Sequence, residues 1–179
     1  SGVPYGGAVL SPVFATGYPW RVEYLVSHEV GGHSIGRLGD EYVYTDRYME
    51  IWNMFPNLDK LGCPKWCSGQ VNTSSPCYQT YLEYKTCVLP YLDEMCTNGY
   101  GNDSTPIDLS CKISADINAC SYQAEQKELQ AGRSLYSCDL GMGCVSGTGC
   151  YWGGGLSLAN FRPTQNGIMR VADPGAPFG

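Results

Sequence analysis

No stretch of this sequence approaches 18 consecutive apolar residues, which excludes a membrane-spanning helix. Basic residues are in deficit, with 11 Lys+Arg against 17 Asp+Glu and a net charge of −6. A general nucleic-acid binder carries the opposite sign, so that class is set aside. Charge is scarce overall, at 16% of residues against 43% hydrophobic, which is the balance of a globular chain and not of a disordered one. The first residues, Ser1-Gly2-Val3-Pro4-Tyr5-Gly6-Gly7, lack the basic start and apolar stretch of a signal peptide. The sequence therefore reads as a mature form or as a piece of something larger. No repeat recurs at a fixed period, so a solenoid or tandem module is not expected.

Cysteine is missing from the first 62 residues and from the last 29, yet ten lie between them. No two are spaced C-x-x-C and no histidine stands beside them, which argues against a zinc finger or a redox motif. An even number confined to one block reads instead as paired disulfides formed in an oxidising, extracellular compartment. Asn72-Thr73-Ser74 and Asn102-Asp103-Ser104 are glycosylation triplets in the same block and lean towards a secreted glycoprotein. The cysteine map divides the chain into residues 1–61, the cysteine-rich 62–152, and 153–179, which opens with three glycines.

The 179 residues suit one domain with a real core. Twenty-three Gly, 11 Pro and 14 Tyr are a composition of turns and irregular segments, so long helices are few. The clearest helix is Trp20–Leu38, with Val22, Leu25, Val26, Val30, Ile35 and Leu38 giving an apolar face and Gly39 a stop. Ala8–Leu10 reads as a short edge strand. Tyr78–Met95 reads as a helix broken near Pro90, and Ser121–Gln130 as a short helix closed by Gly132. Residues 138–155 read as a disulfide-pinned loop. The class expected is α+β, with a disulfide-rich, irregular insertion.

Both histidines fall within six residues, His28-Glu29-Val30-Gly31-Gly32-His33. A zinc-peptidase helix has the form H-E-x-x-H, with its two imidazoles one turn apart and the glutamate beside the metal as base. The spacing here is i, i+5, which on a regular α-helix separates the rings by about 140°. A π-turn at Val30–His33 brings i and i+5 back to one face, and the Gly31-Gly32 pair tolerates that distortion. A catalytic zinc needs a third protein ligand and an open position. Gly36 and Gly39 let the chain turn back, and Asp40 and Glu41 are the nearest carboxylates. Asp40 is the favoured ligand because a short side chain suits a close return, with Glu41 as the alternative. Tyr42 and Tyr44 could stabilise an oxyanion, but with 14 Tyr in the chain packing is the stronger reading of either; Met169 reads equally as core filler, and Arg170 as a surface residue before a contact to a substrate carboxylate.

The stretch H-E-V-G-G-H-S-I-G-R-L-G-D-E-Y resembles the active-site signature of the IgA-peptidase-type zinc metallopeptidases, with one extra glycine before His33. The resemblance puts His28 and His33 on the family's zinc-binding histidines, Glu29 on its catalytic glutamate, and Asp40-Glu41-Tyr42 on its D-E-Y. Weaker echoes are Tyr5-Gly6-Gly7, Pro56-Asn57, Lys65-Trp66 and Asn166-Gly167-Ile168-Met169-Arg170, the last similar to the methionine turn of metzincin-like enzymes. It implies a partial metzincin-like core interrupted by the cysteine-rich insertion. It also implies a secreted zinc metalloendopeptidase in which Zn²⁺ on His28, His33 and Asp40 activates water, with Glu29 as general base and a protein or peptide as substrate. The competing expectation is a non-catalytic extracellular scaffold or fibre component built on a metallopeptidase-like core, part of a larger chain or assembly.

Overall fold

The computed structural model describes residues 27–96, 115–167 and 169. Ala8–Leu10 and the first turns of the helix expected from Trp20 lie outside them. In chain order the elements are a π-helix Ser27–Ile35, α1 (Tyr78–Cys96), α2 (Ala115–Gln130), a 3-10 turn Leu135–Ser137, β1 (Tyr151–Gly154) and β2 (Ser157–Arg162). The class is α+β, with a small two-stranded sheet and four disulfides among the described residues.

Helices α1 and α2 pack face to face because each carries an apolar stripe at helical spacing. On α1 the stripe is Tyr81, Tyr84 and Val88; on α2 it is Ile117, Cys120 and Ala124, all buried. The Cys87–Cys120 disulfide joins the two helices. Glu128 lies on the same stripe of α2 and is fully buried, accepting from the Thr80 hydroxyl and from Arg133 Nε at 2.7 Å. A buried carboxylate of this kind needs such partners to be tolerated. Helix α2 begins six residues earlier than its polar start suggests, since Ile117 and Cys120 anchor the first turns. It ends as expected at Gly132, whose φ of +71° is a left-handed stop.

Pro90 does not break α1. Its missing N–H leaves the Thr86 carbonyl without an intrahelical donor. Both residues are exposed, so water can meet that carbonyl.

The core is closed by a β-hairpin. Trp152 and Phe161 pair across it and are fully buried, with Tyr81 and Tyr84 rings at 5.3 and 5.4 Å from the Trp152 ring. Each such side chain contributes about 1.5–3 kcal/mol by burial. A bulge between Trp152 and Gly154 re-aims β1, and the buried Arg162 guanidinium spans it, donating to the Trp152 and Gly153 carbonyls and to Tyr136 O. The turn is Gly155-Leu156, both at positive φ, 57° and 63°, the conformation that suits a two-residue hairpin. Leucine in that region is strained by about 1–2 kcal/mol. Its peptide groups offset the strain, as Leu156 N donates to Tyr42 O at 3.0 Å and Leu156 O accepts from Tyr44 N at 3.2 Å. The hairpin thus begins within the stretch that reads as a disulfide-pinned loop, and it clamps the segment that follows the π-helix.

The four disulfides are nested: Cys63–Cys150 encloses Cys67–Cys144, which encloses Cys77–Cys138, which encloses Cys87–Cys120. Among the described residues, these bridges tie the outgoing arm of the cysteine-rich block to its returning arm.

Candidate metal centre

The i, i+5 spacing of the histidines is realised as expected: Ser27–Ile35 is a π-helix, and beyond it Gly36 N donates to Gly31 O at 2.9 Å. The distortion spans nine residues and not the four of Val30–His33. His28 and His33 consequently stand on one face, their rings edge to face with centroids 4.9 Å apart. The helix stops at Ile35 and not at Leu38, because Arg37 takes a left-handed φ of 52°. Leu38 N then reaches back to Gly32 O at 3.0 Å, and the Leu38 carbonyl meets His33 Nδ1 at 2.8 Å. A carbonyl can only accept, so Nδ1 carries a proton and Nε2 is the nitrogen turned towards Asp40.

Asp40 completes the cluster. Its Oδ1 lies 3.1 Å from His28 Nε2 and 3.2 Å from His33 Nε2. An ion bound tetrahedrally at about 2.0–2.1 Å requires ligand atoms about 3.3 Å apart. Both nitrogen–oxygen separations are near the spacing zinc demands, and the three ligand atoms all lie within 4.8 Å of one another. The donor set fits zinc. His28 is buried while His33 and Asp40 are partly exposed, so the cluster is open on one side. That is the arrangement a reactive site needs.

Three contacts hold the segment that carries Asp40. The Asp40 carbonyl accepts from Gly155 N at 2.7 Å, on the hairpin turn. The Asn57 side chain accepts from Gly39 N at 2.7 Å and donates to Gly39 O at 2.8 Å, pairing with that peptide as a neighbouring strand would. Gly39 itself is pressed on the Phe55 ring: a Cβ there would come within 2.7 Å of it. Asn57 also donates to Glu41 Oε1 at 3.0 Å. Glu41 is buried, with Thr164 donating to its other oxygen, so the second carboxylate candidate faces Asn57 and Thr164.

Tyr42 hydrogen-bonds to Asp40, and its ring meets Tyr44 edge to face at 5.6 Å. Burial above all, then the Asp40 charge, pushes the Tyr42 phenol well above its ordinary value. It therefore stays protonated and donates. Met169 is 2% exposed and lies against Gly32, while its carbonyl accepts from Glu41 N at 2.8 Å. Ile168 and Arg170 lie outside the described residues, as does the side chain of Glu29.

A second group of possible ligand atoms, Cys77, Glu128 and Cys138, has a different explanation. Its two sulfurs are joined in a disulfide and present no thiolate.

Comparison with family models, with curated proteins and with solved structures returns no match to this chain.

Sequence reasoning brings His28, His33 and Asp40 together as the structure does. It misses the paired Asn57–Gly39 bonds and the Gly155-Leu156 clamp. The only sequence signal for the first is a polar Asn57 set in an apolar loop between Phe55 and Leu58.

Proposed function

We propose that this chain is a zinc metalloendopeptidase acting outside the cell, on a partial metzincin-like core of the IgA-peptidase type. One observation carries the reading: His28 Nε2, His33 Nε2 and Asp40 Oδ1 converge at 3.1 and 3.2 Å in a cluster open on one side. The four disulfides support an oxidising, extracellular setting. Among the described residues no helix is long and apolar enough to cross a membrane.

Zinc held by His28, His33 and Asp40 would supply a Lewis acid able to polarise a scissile carbonyl and to lower the pKa of water. The chain supplies the rest. His33 holds its proton at Nδ1, on Leu38 O, and so offers Nε2 in fixed orientation. Asp40 brings the negative charge that partly neutralises the cation. Glu29, next to His28 in the sequence, takes a proton from the attacking water and returns it to the leaving amine. Tyr42 donates to Asp40 and limits that carboxylate's freedom.

The test is zinc content and cleavage of an unfolded protein, with and without chelator, for the wild type and Glu29→Gln. The variant keeps its zinc and loses about 10²–10⁴ in rate. Stoichiometric zinc in the wild type without any chelator-sensitive cleavage points to the non-catalytic scaffold instead.

A further inference from the structure

The loop between Trp52 and Asp59 lies outside the cluster, yet its side chains decide where Asp40 can sit. Asn57 pairs with both peptide groups of Gly39, the residue before Asp40. Leu58 and Phe55 press on the same glycine, since a Cβ there would lie within 3.0 Å of Leu58 and 2.7 Å of Phe55. The loop has no regular secondary structure to keep it in shape. What gathers it is Lys65. The ammonium donates to three loop carbonyls, Trp52 O at 2.5 Å, Phe55 O at 2.7 Å and Leu58 O at 2.5 Å. An ammonium has three protons, and here each has one acceptor. The Lys65 backbone N–H adds a bond to Asp59 Oδ2 at 2.6 Å, and Asp59 is itself paired with Phe161 of β2. Lys65 is an exposed residue, and its bonds to the loop are made by its ammonium and its backbone N–H.

We propose that Lys65 is a positioning residue of the metal centre: by gathering the Trp52, Phe55 and Leu58 carbonyls it fixes Asn57 against Gly39, and so fixes the Asp40 carboxylate between the two imidazoles. The inference rests on the zinc reading. It gives the cysteine-rich block a function, because Lys65 belongs to that block and is held between Cys63 and Cys67, both disulfide-bonded to its far end. Three charge-assisted bonds to carbonyls are individually stronger than neutral ones, and together they define a shape that no single contact would. A residue that orients a ligand through an intermediate typically alters metal affinity about 10–100-fold when removed.

The experiment is a titration of the metal-free full chain, disulfides intact, with Co²⁺, reading both affinity and the intensity of the visible d–d bands that report a tetrahedral site. Lys65→Met keeps the stem and removes the three donors. It is expected to fold, to bind Co²⁺ about 10-fold more weakly, and to show weakened, shifted bands. Asn57→Ala is expected to reproduce the same spectral change with a larger loss of affinity. A merely structural lysine would lower the melting temperature and leave the cobalt spectrum alone. A folded Lys65→Met with wild-type affinity and wild-type bands overturns the proposal while leaving the zinc reading standing. A wild type that takes up no cobalt overturns both, and that outcome is distinct.

Discussion

Gly32 and Met169 are in direct contact: a Cβ added at Gly32 would come within 2.8 Å of the Met169 Cε and nearer still to its sulfur, in a site where Met169 is 2% exposed. Its neighbour Gly31 has nothing within 4 Å of the same position. Two adjacent glycines in one π-helix therefore do different things. Gly31→Ala is expected to leave stability unchanged or raise it by about 0.5–1 kcal/mol, as for any glycine replaced within a helix. Gly32→Ala is expected to cost about 1–3 kcal/mol by overpacking. Thermal melts of the two variants check this, and equal melting temperatures would refute it.

The two acidic neighbours are expected to separate cleanly. Asp40→Ala removes a ligand atom and should abolish stoichiometric zinc while barely changing the stability of the metal-free chain. Glu41→Ala leaves the ligand set intact but strips Asn57 of an acceptor in a buried place, at a cost of about 1–3 kcal/mol. Zinc content and the melting temperature of the metal-free protein, measured side by side, should move in opposite patterns. Zinc lost from Glu41→Ala alone would exchange the two roles.

The nesting of the four bridges and the even count of cysteines predict a fifth ring inside them, closed by Cys96 and Cys111, whose side chains lie outside the described residues. The unfolded, unreduced protein should show no free thiol. Peptide mapping without reduction should recover Cys96 and Cys111 in one linked fragment. Two free thiols per chain would mean that this ring is open.

Stability should be steady up to about pH 10 and fall above it. Burial, with Glu50 and Tyr78 as lesser causes, raises the Tyr81 phenol to about 12. Burial likewise raises Tyr48 and Tyr84. A phenol whose folded value lies above its unfolded value favours folding fully below about pH 10, and that contribution is lost as pH climbs from 10 to 12. Denaturant titrations at pH 8, 10 and 11.5 test the sign. An unchanged midpoint at pH 11.5 would show that these phenols do not resist ionisation.

The candidate metal cluster of His28, His33 and Asp40 is the most legible part of the sequence, because its signal is a spacing. Two histidines five apart around a glycine pair require a π-turn if they are to share an ion, and a carboxylate soon after a second glycine has few other places to go. The supports of that centre were not legible. Asn57 acts on the backbone of Gly39, a residue far from it in the chain, and a polar side chain in an apolar loop does not say which peptide it will pair with. The hairpin from Tyr151 to Arg162 was hidden because its turn uses a leucine at positive φ, where the sequence pattern looks for glycine or asparagine. Pro90 misleads in the other sense: a breaker by propensity is tolerated where the bond it forfeits faces water.

The concentric bridges bear on survival among proteases. Because each bond joins the outgoing arm of the block to its returning arm, a cut anywhere between Cys87 and Cys120 separates nothing: four covalent ties still span the break. No arm has to thread a closed ring to reach this arrangement, so closure can proceed from the innermost pair outward. The chain can therefore be severed in that stretch while Lys65, Asn57 and Asp40 keep their connection.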